Sequence, residues 1–284
     1  MIGQKYLLST VHKLIENKDL PRFILIVGKE GSGRRTLAGY IIKQFKKYLY
    51  SNALAKTVDD IKIATMRDVI NSAYHTIVPC IYTVPNIDDM SKEAQNSILK
   101  LIEEPPNRAT FIMTVQDVNN VLTTIKSRAF TLFMDNYSAE EIAEYILSLD
   151  TKILDEIPEL PTICETPGEV DTFIRCGEVE FYNFVDKVVD NVNNVTTANA
   201  LKLLNELDLK ADGKGYDTVL FLNLFMKLCM KRAVINFDYR ESLQYVNMIQ
   251  PTSEALTKLH TKAPNRNMIL TNWIFDVRGH YESN

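Results

Sequence analysis

The chain has 284 residues, 46% of them hydrophobic and 24% charged, and a formal net charge of −4. That length suits two or three compact domains with real cores. The acidic balance excludes strong nucleic-acid binding by overall charge, so any such contact is local or shared with partners, and no apolar run reaches the ~20 residues of a membrane span.

The opening MIGQKYLLSTVHKLIENKD is amphipathic and mixed in charge, which is unlike a signal peptide. Residues 5–18 predict a helix with Leu7, Leu8, Val11, Leu14 and Ile15 on one face. Phe23–Val27 is a short continuous apolar run, the pattern of a strand buried on both faces of a parallel sheet. A glycine-rich turn follows, then a helix from about Arg35 to Tyr50. Next come a helix near Thr65–Ala73, a strand at Cys80–Val84, a helix over Ser91–Glu103 and a strand at Thr110–Val115. This alternation predicts an α/β fold with a parallel sheet through residue 134.

The pattern then changes. Ser138-Ala-Glu-Glu141 is a capping box, in which the serine hydroxyl and the glutamate three residues on satisfy each other's free backbone N–H groups; it opens a helix over Ala139–Leu149. No strand pattern follows. Pro158, Pro161 and Pro167 punctuate a small helical module, and Lys210–Gly215 reads as a loop. Val219, Leu222, Met226, Cys229 and Ala233 share one helix face. The expected division is an α/β domain over 1–134, a small helical domain over 135–182 and an all-α domain over 183–284. Cys80, Cys164, Cys176 and Cys229 form no CxxC pair, which predicts free thiols in a reducing cytoplasm and no structural zinc. The isolated histidines predict no metal site.

Gly28-Lys-Glu-Gly31-Ser-Gly33-Arg34-Arg35-Thr36, after a strand and before a helix, has the glycine spacing of a phosphate-binding loop, GxxxxGK[ST]. Its chemistry departs from that pattern. Arg34 stands at the lysine position, a planar fork in place of a compact ammonium. Arg35 stands at the Ser/Thr position and offers no lone pair to magnesium, and Thr36 lies about 100° around the helix. Two readings stay open: a remnant loop, or residual ATP or ADP binding without hydrolysis.

The stretch from Cys80 through AQNSILKLIEEPP (94–106), followed by FIMTVQD (111–117) and Ser127-Arg128-Ala129, resembles the clamp-loader family of AAA+ proteins. Ile2-Gly3-Gln4, Leu20-Pro21 and IKIATMRDVI (61–70) fit the same pattern. Within the family the likeness is nearest to subunits of the delta-prime type, although the four-cysteine zinc module of the bacterial forms is absent. The resemblance implies an AAA+ sheet domain, a helical lid and a helical collar. It puts Pro85 at the magnesium-binding aspartate and Asn86 at the catalytic glutamate, with Asp88 and Asp89 as turn residues beyond the strand. It puts Gly168, within Thr166–Glu169, at the position of a sensor arginine, and a second sensor at Val115 or Gln116.

The site implied is therefore an inactive ATPase that needs no cofactor. Arg128, supported by Ser127, would serve as an arginine finger for a neighbouring subunit's ATP, the alternative being a salt-bridged helix-end arginine. Ser91 and Lys92, at a helix start, would hold a DNA phosphate or simply be solvated. Lys43, Lys46 and Lys47 read as a solvated face. The implied partners are motor and delta-like clamp-loader subunits, with a sliding clamp and primer–template DNA reached through the complex. An atypical active ATPase and a regulatory adaptor outside replication stay open as alternatives.

Overall fold

The computed structural model describes residues 2–58, 60–149, 151–192, 217–236, 238–259, 261 and 264–279. The loop expected at 210–215 lies outside these. The chain divides into two compact units, Met1–Tyr145 with Glu165–Gly168, and Ile146–Cys164 with Glu169–Asn284.

The first unit is built on a five-stranded parallel sheet. Its strands are β1 (Phe23–Val27), β2 (Leu54–Thr57), β3 (Cys80–Val84), β4 (Ala109–Val115) and β5 (Phe130–Phe133), in the order β2-β3-β4-β1-β5. Helices α1 (Lys5–Glu16), α2 (Arg34–Tyr48), α3 (Ile63–Tyr74), α4 (Lys92–Ser97), α5 (Leu99–Glu103) and α6 (Thr123–Lys126) complete the layers. Successive side chains of a strand point to opposite faces, so β1 feeds two cores. Phe23, Leu25 and Val27 join a cluster with Tyr82, Phe111, Ile98 and Leu101. Ile24 and Ile26 join one with Leu7, Val11, Ile15, Leu37, Ile41 and Phe45. On the first face Phe23, Phe111 and Tyr82 stack across three strands, with 5.0 Å between neighbouring ring centroids.

Two features of this unit depart from the sequence expectation. The edge strands β2 and β5 were not among the expected elements; β2 is exposed along its length and lies in the sheet because it pairs with β3. The helix expected over Ser91–Glu103 is two helices meeting at Ile98. Ser97 Oγ donates to the Ala94 carbonyl at 2.6 Å and Ile98 N bonds to Gln95 O, three residues back, which tightens the turn. The capping box forms as expected: Glu141 N donates to Ser138 Oγ at 3.2 Å and Ser138 N to Glu141 Oε2 at 3.1 Å. It opens α7 (Ala139–Leu147).

The second unit holds α8 (Ile153–Glu156), α9 (Leu160–Ile163), α10 (Pro167–Arg175) from Glu169 onward, its first two residues belonging to the first unit, α11 (Glu178–Asn191), α12 (Thr218–Ile235), α13 (Tyr239–Leu259) and α14 (Arg266–Gly279). Among the described residues no strand follows β5, and no helix is long and apolar enough to cross a membrane. The single face expected on α12 is corrected. Of those five residues only Leu222 and Cys229 are buried, whereas Leu220, Phe221, Leu224, Phe225 and Leu228 are also buried. The burial covers a broad arc centred on the Phe221, Phe225 and Leu228 side, because α11 and α13 both pack on the helix and Trp273 of α14 sets its ring edge-to-face on Phe221 and Phe225, at 5.6 and 5.1 Å. Leu222, Phe225 and Trp273 are therefore interior packing.

Candidate functional site

The glycine loop joins β1 to α2, and its backbone is used by its own chain. Gly28 N donates to Val115 O, Ser32 N to Lys29 O and Tyr137 Oη to Ser32 O at 2.8 Å. Gly31 and Gly33 have φ of 75° and 89°, a left-handed conformation that glycine adopts without penalty. The segment Glu165–Gly168 lies directly on the loop. Gly168 N donates to Gly31 O at 3.0 Å, and Lys29 Nζ pairs with Glu165 Oε2 at 2.7 Å. The approach is so close that a Cβ at Gly168 would fall 2.4 Å from Gly31 Cα, and one at Gly31 would fall 2.5 Å from Thr166 Oγ1. A Cβ at Gly28 would fall 2.7 Å from Met134 Cγ.

Arg34 begins α2 and is buried, whereas Arg35 and Thr36 are exposed. Burial pushes the Arg34 guanidinium below its ordinary value, against the pull of Asp88 and Glu30. Arg34 Nη1 and the hydroxyl of Ser32 are buried without a hydrogen-bond partner among the described residues.

Pro85 and Asn86 follow β3. Asn86 is left-handed, with φ of 48°, and its backbone N–H donates to Thr114 Oγ1 at 3.0 Å. Asp88 lies in a short turn over Ile87–Asp89, as its expected turn role requires. Its Oδ2 accepts from Gln116 N at 3.0 Å and Asp117 N at 2.8 Å, so it caps the end of β4. Of the two candidate sensor positions, Val115 is buried and pairs with Val27, and Gln116 is exposed.

Arg128 follows α6. Its Nη1 donates to the Thr124 carbonyl at 3.2 Å, and its Nη2 lies 3.3 Å from Glu103 Oε1, with 42% of the side chain exposed. Ser127 Oγ donates to the same carbonyl at 3.2 Å. Neither partner of Arg128 belongs to the glycine loop. Ser91 caps α4 by accepting from Ala94 N at 3.2 Å, and Lys92 beside it is exposed. Lys47 lies 4.8 Å from the centre of the Tyr48 ring. The four cysteines are free, and among the described residues no group of His, Cys, Asp and Glu is arranged to hold a metal ion.

Two residues that sequence reasoning passed over organise this unit. Glu103 reaches Arg128. Gln95, 1% exposed, donates to Asn120 O at 2.9 Å, and its Oε1 accepts from Leu122 N at 2.9 Å. It thereby ties α4 to the turn that leads into α6. A glutamine inside the run AQNSILKL, at a position the helical period turns inward, is the signal that could have found it.

Residues 47–138 match the family described as DNA polymerase III, delta subunit. The chain is 23% identical to DNA polymerase III subunit gamma of Buchnera aphidicola subsp. Acyrthosiphon pisum, over 92% of this chain and 81% of that protein. It is 25% identical to the delta' subunit of Buchnera aphidicola subsp. Baizongia pistaciae, over 50% of this chain and 42% of that one. The fold matches a DNA polymerase III gamma subunit-related protein of Thermotoga maritima, with a TM-score of 0.54 at 16% identity, covering 95% of this chain and 98% of that one. With the parallel sheet, the glycine loop and the run from Cys80 to Arg128 in place, the chain is similar to clamp-loader subunits of DNA polymerase III and shares the fold of a gamma subunit-related protein.

Proposed function

We propose that this protein is a non-hydrolysing clamp-loader subunit of the delta-prime type, which helps load a sliding clamp onto primed DNA and lends Arg128 to the ATP site of a neighbouring motor subunit. The relatives include both gamma and delta' subunits, so the family by itself leaves the role open and the residues must decide it. The observation that carries the reading is the glycine loop, packed by Gly168, Thr166 and Met134 of its own chain. The donor set supports it. Arg35 offers magnesium no lone pair, and Pro85 has no carboxylate. The Asn86 side-chain amide is a poor substitute for a base that polarises water. These residues do not fit a magnesium nucleotide poised for hydrolysis.

In this reading Arg128 stabilises charge on the phosphoryl group in transfer, a contribution worth roughly 10³–10⁵ in rate where such fingers act. The partners are motor and delta-like subunits in the cytoplasm, with the clamp and DNA reached through the complex. Residues 135–182 act as a lid, and 183–284 contribute the collar. The test is ATPase of the isolated chain and of the reconstituted complex. The isolated chain is expected to show no turnover above background. Arg128→Ala should leave assembly intact and lower kcat at one neighbouring site. Turnover by the isolated chain that Arg34→Ala abolishes would overturn the inactive-site reading, and unchanged complex ATPase would overturn the finger.

A second reading, nucleotide retained without hydrolysis, draws on the unpartnered Arg34 Nη1 and Ser32 Oγ. Equilibrium dialysis with ADP separates the two, since a remnant loop retains none.

A further inference from the structure

We infer that Glu103 is a positioning residue for Arg128, setting the guanidinium in the pose from which it reaches the neighbouring subunit's phosphate. The inference rests on the finger reading proposed above. A long arginine on a surface samples many rotamers, and each one away from the working pose lowers the fraction of time the group can act. Arg128 is held at two points instead. Its Nη1 is on the carbonyl of Thr124, one turn back, and its Nη2 is on Glu103 Oε1 at 3.3 Å. These two contacts come from different elements, α6 and the last residue of α5, and two fixed points define the plane of the fork. The guanidinium has five N–H donors, and the side chain is 42% exposed, so donor capacity remains outward for a phosphate.

The chemistry of the pair suits positioning rather than sequestration. Glu103 is 52% exposed, and an ion pair this wet is weak, so a phosphate of higher charge can recruit the fork without paying for a buried bridge. Glu104 is a built-in control. It carries the same charge one residue on, but it is tied down through its backbone, whose carbonyl accepts from Tyr74 Oη at 3.0 Å and whose N–H donates to Lys100 O.

The experiment is DNA- and clamp-stimulated ATPase of the reconstituted complex carrying Glu103→Ala, Glu103→Gln, Glu104→Ala or Arg128→Ala, and the double substitution. Glu103→Ala is expected to lower kcat about 3–10-fold, with the KM for ATP within about twofold, because the lost term is orientation in the transition state. Glu103→Gln keeps an acceptor oxygen and should recover most of the rate, and Glu104→Ala should match wild type. Adding Glu103→Ala to Arg128→Ala should change nothing further. An unchanged or raised kcat in Glu103→Ala, or an equal loss in both backgrounds, overturns the positioning role while leaving the finger standing. If Arg128→Ala itself has no effect, the finger reading falls, and this inference falls with it.

Discussion

Replacing Gly168 by alanine places a carbon 2.4 Å from Gly31 Cα, 3.2 Å from Gly31 O and 3.3 Å from Gly31 C. All three are backbone atoms, so no side-chain rotation relieves the clash. Carbon atoms rest at about 3.5–4.0 Å, so the two backbones must separate by roughly 1 Å. That movement breaks the Gly168 N to Gly31 O bond, now 3.0 Å, at a cost of about 1 kcal/mol. Strain from overpacking adds about 1–3 kcal/mol. Against this, Gly168 lies in the first turn of α10, where alanine gains at most about 1 kcal/mol in helix propensity. The net loss is about 1–3 kcal/mol, a fall in Tm of roughly 3–10 °C. Gly39, in α2, has nothing within 4 Å of its built Cβ, so Gly39→Ala should hold or raise Tm. Thermal unfolding followed by circular dichroism reads both. A Gly168→Ala protein that melts at or above wild type would show that Glu165–Gly168 does not press on the loop in solution.

Gln95→Ala removes a buried amide and strands the Asn120 carbonyl and the Leu122 N–H, so we expect about 3 kcal/mol of destabilisation, read from the urea midpoint. Burial pushes the Cys164 and Cys229 thiols up to about 12 and raises Cys80 and, less buried, Cys176 as well, so native protein should react with a thiol reagent first at Cys176, and faster at all four cysteines once unfolded. Glu159 is held below its ordinary value: burial opposes this, but hydrogen bonds from Tyr182 and Lys231 outweigh it. A carboxylate depressed in the folded state stabilises above its unfolded value and loses that contribution as pH falls through the folded one. Wild type should therefore exceed Glu159→Gln in stability at neutral pH, and the gap should close in acid; a constant gap from neutral pH to pH ~3 would refute the linkage.

Local chemistry made much of this fold legible. β1 is buried on both faces and is a continuous apolar run, and β3 and β4 are apolar apart from Thr83, Thr110 and Thr114, so the sequence displays all three openly. The capping box at Ser138 and Glu141 spans a single helical turn, and the loop glycines carry their own conformational requirement. The spacing of those glycines, with Arg34 and Arg35 directly after them, is plain in the sequence itself.

What the tertiary structure decided is what depends on residues far apart in the chain. Leu-Ala-Lys-Thr at 54–57 has no strand pattern of its own and becomes one by hydrogen bonding to β3. The face of α12 could not be assigned from periodicity, because its neighbours bury it from several directions at once. For the same reason Leu222, Phe225 and Trp273 are all interior. The seating of Gly168 on Gly31 and the pairing of Glu103 with Arg128 join segments that no helical or strand period connects. A sequence records which groups a chain owns; burial, charge neighbours and backbone approach exist only once the sheet has brought them together.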